Sequence, residues 1–82
     1  MIEAIILLCT IPGNEQRIKE ELLKIEEVKS CRITFGEYDL ILEVYTEKIK
    51  YLGTLITKKI RSVQGVTKTA TLIIGDSINS TT

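Results

Sequence analysis

Histidine is missing from this 82-residue chain, and so is tryptophan. Without histidine there is no Ser-His-Asp or Cys-His catalysis, no His-ligated zinc and no imidazole pH switch. Net charge is missing too, since 11 basic side chains balance 11 acidic ones. Stand-alone nucleic-acid binders carry a basic excess, because phosphate contacts supply much of their affinity. The balance argues against direct nucleic-acid binding, and no polybasic segment marks a membrane anchor. Proline occurs once and apolar residues make up 44%, a composition that excludes a disordered chain. Long apolar runs are also lacking. The stretch Ala4–Cys9 has six apolar residues, far short of the ~20 needed to cross a bilayer. No basic region or cleavage site marks a signal peptide. Two cysteines, Cys9 and Cys31, fit no metal spacing and are too few for a disulfide framework. They read as free, partly buried thiols of a soluble, cytoplasmic protein.

What is present is one small domain. A chain of this length buries only about 60–65% of its unfolded surface, so its core is thin and partner subunits often supplement it. Residues Ile2–Thr10 are almost continuously apolar and are followed by the breaker Ile11-Pro12-Gly13. That predicts a strand buried on both faces and central in a sheet. Residues 14–26 place Ile18, Leu22 and Ile25 on one helical stripe, with Asn14 or Gly13 as cap. Val28–Phe35 and Tyr38–Tyr45 alternate as strands joined at Gly36-Glu37, an antiparallel hairpin. With Thr46 as cap, Ile49, Leu52, Ile56, Ile60 and Val63 predict a second amphipathic helix over residues 47–62. Val66–Ile74 is the last strand, and the polar residues after it form a frayed tail.

The order is βαββαβ, and an internal repeat supports it. A shift of 38 residues carries Ile18, Leu22, Ile25 and Val28 onto Ile56, Ile60, Val63 and Val66. Two right-handed crossovers then place both helices on one face of a four-stranded antiparallel sheet. This is the ferredoxin-like α+β fold, with the first and third strands central. The helices cover one sheet face only. The first strand is apolar on both, so an uncovered apolar face implies a dimeric α/β sandwich or a higher assembly.

The hairpin loop carries the most chemistry. Gly36 lets the backbone take a positive φ and approach a ligand closely. Asp39 is a carboxylate entering an otherwise apolar strand, and it needs a partner. Two readings stand: Asp39 accepts backbone N–H bonds at the hairpin mouth, or it holds a ligand ammonium.

The segment Phe35-Gly36-Glu37-Tyr38-Asp39 resembles the (T)-G-x-Y-D motif of the Lrp/AsnC regulators. The opening strand with Ile11-Pro12-Gly13 is similar as well. So is the run from Ile60 to Thr69, which resembles the family's I-x-x-x-x-G-V-x-x-T element. Together they match the family's C-terminal effector domain, called RAM, over about residues 1–75, leaving 76–82 as a polar tail. The resemblance implies dimerisation through the sheets and octamers or similar rings built from dimers. It also implies an amino acid or related small effector in clefts between dimers. Carried over, Gly36, Glu37, Tyr38 and Asp39 form one wall, with Asp39 on the effector ammonium. Thr69, Thr71 and Leu72 line the other. Phe35 stands where the family often has Thr, so hydroxyl contacts are not expected there. Family members place a helix-turn-helix domain before this module; here the module opens the chain. It therefore reads as a stand-alone sensor acting through partners, plausibly full-length Lrp/AsnC regulators, with no cofactor, metal or catalytic residue. A purely structural oligomerisation module and a small ferredoxin-like enzyme are the other readings.

Overall fold

The apolar opening run becomes an inner strand because both of its sides find partners. In the computed structural model, which describes residues 1–78, β1 (Ile2–Thr10) lies between β3 (Leu40–Thr46) and β4 (Val66–Ile73). β2 (Val28–Ile33) pairs with the outer side of β3, giving the order β2-β3-β1-β4. All three pairings are antiparallel. With α1 (Glu15–Leu23) and α2 (Ile49–Thr54) between the strands, this is the ferredoxin-like fold that the periodicity predicts.

Register decides what is buried. Ala4 faces Val44, Ile6 faces Leu42 and Leu8 faces Leu40, so these six side chains share one sheet face. All six are fully buried, and Ile18, Leu22, Leu52, Leu55 and Ile60 of the helical layer close over them. The 38-residue repeat has a physical counterpart. Leu22 and Ile60 are both fully buried, and Ile25 and Val63 are both half-buried against the core.

Among the described residues nothing covers the opposite sheet face. Ile5 and Leu7 of β1, Ile41 of β3 and Ala70 and Leu72 of β4 share it by register. Leu72 is 56% exposed. Toward the start of β1 this face turns polar. The Tyr45 hydroxyl donates to Glu43 Oε2 at 2.9 Å and Ser30 Oγ donates to Glu43 Oε1 at 3.2 Å. The bond to Glu43, followed by partial burial, pushes the Tyr45 phenol up to about 12.

Several expectations need correction. The second helix is not one α-helix over 47–62. It is α-helical over Ile49–Thr54 and π-helical over Leu55–Ile60. The Arg61 N–H reaches the carbonyl of Ile56, five residues back, at 2.8 Å. The wider turn brings Leu55 and Ile60, five apart, to the core together, and Leu55 is a core residue missing from the expected stripe. Thr46 is not its cap. It ends β3, and its hydroxyl donates to the Lys48 carbonyl at 3.0 Å. The first helix stops at Leu23, with the N–H groups of Lys24 and Ile25 turning back to Glu21 and Leu22.

The tail also differs. Gly75–Ile78 form a helical turn, α3, rather than a frayed end. Ser77 Oγ accepts from the Glu3 N–H at 3.0 Å and donates to the Ile74 carbonyl at 2.6 Å. The rest of the tail, 79–82, lies outside the described residues. At the other end of the sheet, Gly65 lets the chain turn tightly onto α1. Its φ is +104°, its carbonyl accepts the Ile11 N–H at 2.9 Å, and a Cβ there would meet Ile18 Cδ1 at 2.8 Å.

Candidate functional site

The β2–β3 connection is wider than a two-residue turn. β2 ends at Ile33 and β3 begins at Leu40, so Phe35 and Tyr38 belong to a six-residue loop over 34–39 instead of to strands. Thr34 is the reason. Its N–H donates to the Asp39 carbonyl at 2.9 Å and its hydroxyl donates to the Tyr38 carbonyl at 2.6 Å, closing the loop on itself. Gly36 takes φ +147°, which an L side chain resists. The Asp39 N–H donates to the Leu8 carbonyl at 2.7 Å, which seats the base of the loop on β1.

That seating aims the Asp39 carboxylate at the end of β1. There the β1–β4 register shifts between Cys9 and Thr10. Asp39 Oδ2 accepts the Thr10 N–H at 2.7 Å and lies 3.4 Å from the Thr10 hydroxyl. The backbone-bonding reading of Asp39 therefore holds for one oxygen. Among the described residues no donor reaches the other oxygen, Oδ1.

Asp39 lines a cleft of about 430 Å3. Ile33, Thr34, Phe35 and Gly36 of the loop region form one side. Gly13, Glu15 and Gln16, where α1 begins, form the other. The lining holds two carboxylates and no basic side chain. Asn14 makes no side-chain cap, so the first amides of α1 keep the unpaired N–H groups usual at a helix start. Phe35 is 100% exposed.

A larger hollow, about 740 Å3, lies at the other end of the sheet, near Tyr45, Thr46 and Tyr51. Part of its chemistry is used internally. Lys29 Nζ sits 5.2 Å from the Tyr45 ring, Lys50 Nζ sits 5.5 Å from the Tyr51 ring, and Lys59 pairs with Glu27 at 3.1 Å. The smaller cleft holds a carboxylate fixed in place by the Thr10 N–H with its second oxygen open, and it is the better candidate.

Of the residues singled out by sequence, Gly36 and Asp39 lie in this cleft. Glu37 is exposed, and its carbonyl accepts the Cys9 thiol at 3.4 Å. Tyr38 is half-buried, with Lys68 Nζ 5.6 Å from its ring. The β4 residues do not join the cleft within one chain. Thr69 pairs with Leu8 and Thr71 with Ile6 on the helix-facing side, whereas Leu72 pairs with Ile5 on the open face. Adjacent strand residues point to opposite faces, so within one chain Leu72 faces away from Thr69 and Thr71. Sequence reasoning overlooked Ile33, Thr34, Glu15 and Gln16. A signal existed for Thr34 alone: a short hydroxyl side chain before a glycine turn is a ready partner for loop carbonyls.

The two thiols differ, and no disulfide joins them. Burial pushes the Cys31 thiol up to about 11, offset slightly by Lys19, whereas Cys9 is only half-buried. We expect one fast equivalent of thiol modification at pH 8, at Cys9, with Cys31 reacting only on unfolding. Mass spectrometry of the partly modified protein checks this, and equal labelling of both positions contradicts it.

The fold and the loop cleft define a small βαββαβ domain that holds a half-bonded carboxylate between a hairpin and a helix start. A family model described as the Lrp/AsnC ligand binding domain matches residues 3–82. The chain belongs to that family. An uncharacterised HTH-type transcriptional regulator from Pyrococcus abyssi is 30% identical over 65 residues, 79% of this chain and 43% of the relative. The chain thus spans less than half of the curated relative it matches. The crystal structure of FFRP-DM1 superposes with a TM-score of 0.86 at 42% identity, covering 90% of this chain and 99% of that one. A transcriptional regulator from Neisseria meningitidis, solved as its complex with L-Met, has a TM-score of 0.79 at 20% identity, over 89% of this chain and 49% of that one. Among the described residues no helix is long and apolar enough to cross a membrane.

Proposed function

We propose that this chain is an effector-sensing module of the Lrp/AsnC type that binds an amino acid at the loop cleft and acts through partner proteins. The observation that carries the reading is Asp39 Oδ1, an acceptor with no partner in a cleft lined by two carboxylates and no cation. A ligand ammonium satisfies it. The amides at the start of α1, at the positive end of the helix, suit the α-carboxylate of the same molecule. The L-Met complex of the Neisseria regulator, although it shares only the fold, supports the ligand class.

The open sheet face supports an oligomeric state. Ile5, Leu7, Ile41 and Leu72 present apolar surface that a second sheet covers, giving a dimer on residues 1–75, with octamers or similar rings built from dimers. Thr69, Thr71 and Leu72 reach an effector only from a neighbouring copy. The same face admits a full-length Lrp/AsnC regulator, which supplies the DNA contact in a mixed assembly.

A thermal-shift screen of the twenty amino acids, followed by light scattering with each hit, tests this. At a hundredfold excess over Kd a ligand adds about 2.7 kcal/mol, enough to raise Tm by ~10 °C or more in a domain this small. We expect a hit that also changes the particle mass. A flat screen with a stable oligomer favours a purely structural module instead. The bond from Asp39 Oδ2 to the Thr10 N–H is the observation on the side of that second reading.

A further inference from the structure

Phe35 has no role in the fold of the chain. It is 100% exposed, it stands beside the positive-φ Gly36, and yet it lines the cleft that Asp39 lines. Ile33, next to it on the same wall, is 38% exposed. A large apolar side chain held out in water without a packing partner costs nothing to remove and gains only when something covers it. The cleft thus has an anionic acceptor at its base and two apolar side chains beside it, with no cation in the lining.

Given that the cleft binds an amino acid, we infer that Phe35, with Ile33, is its specificity determinant and selects effectors with an apolar side chain. The ammonium is fixed at Asp39. A side chain directed along the loop wall then meets Ile33 and Phe35, where a methylene is buried favourably and a hydroxyl or amide loses its water without gaining a partner in return. Selectivity here is a difference in desolvation, and each methylene taken from water is worth about a fourfold gain in affinity. Over the two further side-chain heavy atoms that L-Met carries beyond L-Ser, this builds to a preference of about tenfold or more.

The test compares L-Met, L-Leu, L-Ser and L-Asn by isothermal titration calorimetry on the intact chain, with Phe35→Ser and Phe35→Leu as variants. Because the ring contacts nothing in the fold, both variants keep the wild-type melting temperature without ligand. We expect wild type to prefer L-Met over L-Ser by about tenfold or more, Phe35→Ser to reduce that ratio to a few-fold, and Phe35→Leu to retain most of it. Equal wild-type affinity for L-Met and L-Ser overturns the inference, and so does a ratio that Phe35→Ser leaves unchanged. Light scattering on the same samples separates a docking role. A mass change in Phe35→Ser without a change in ratio means that Phe35 packs against another copy, which overturns the assignment. If wild type binds no amino acid at all, the effector reading itself falls. Binding with an unaltered ratio sinks only the role of Phe35.

Discussion

Asp39→Ala loses stability and ligand response together, whereas Asp39→Asn separates the two. Asp39 Oδ2 takes the Thr10 N–H at 2.7 Å, and Thr10 is only 7% exposed. Alanine leaves that amide buried without a partner, at a cost of about 1–3 kcal/mol. Asparagine still offers a carbonyl oxygen to Thr10 but presents a neutral NH2 to the cleft in place of a carboxylate oxygen. We expect Asp39→Asn to melt close to wild type and to bind amino acids about ten- to a hundredfold more weakly, since an ammonium–carboxylate bond in a partly desolvated site is worth about 1.5–3 kcal/mol. Differential scanning calorimetry with and without L-Met reads both quantities. A ligand-induced shift in Asp39→Asn as large as in wild type removes Asp39 from the site. An unperturbed melting temperature in Asp39→Ala removes it from the fold.

Leu42→Ala is expected to cost about 2–5 kcal/mol, the range for a large side chain deleted from a close-packed interior. Leu42 is fully buried on β3 between the cross-strand neighbours Ile6 and Cys31. β3 is an inner strand, and a domain of this size has total stability of only about 5–15 kcal/mol. Circular dichroism should show Tm lower by ~10 °C or more. Leu72→Ala is the control on the same sheet. It removes as many atoms, but from the open face, where Leu72 is 56% exposed in one chain. It should leave the monomer's fold intact and weaken association instead. If both variants melt alike and associate alike, the division of the sheet into a core face and an assembly face is wrong.

The division between legible and illegible features has a physical cause. Strand and helix periods are written locally. The alternation of Leu40, Leu42 and Val44 and the stripe of Ile18 and Leu22 each specify a buried face from a dozen neighbouring letters, and topology follows from crossover handedness. The π-helical stretch escaped because its hydrogen bonds span five residues, which no side-chain pattern announces, and the stripe drawn from Leu52 to Ile56 left out Leu55 beside it. The loop escaped in part because its shape is set by long-range bonds. Asp39 to Leu8 and Asp39 to Thr10 join residues about thirty positions apart, which no local pattern displays. Asp39 and Gly36 were visible as an odd carboxylate and a turn glycine. That Thr69 and Leu72 point to opposite sides follows from strand alternation; that Thr69 takes the helix side and Leu72 the open one required the register with Leu8 and Ile5.

Asp39 is also a hinge point between two ledgers of free energy. One carboxylate oxygen holds the strand junction where β1 slips register against β4, and the other faces open space. A cation arriving at Oδ1 withdraws charge from Oδ2, so the bond to Thr10 and the bond to the cation cannot both be at full strength. Occupancy of the cleft and tightness of the junction are then linked, and the linkage is reciprocal. Under the proposed function, a neighbour pressed against the open sheet that stiffens the junction from the β4 side changes cation affinity at the loop by the factor by which the cation changes the neighbour's own.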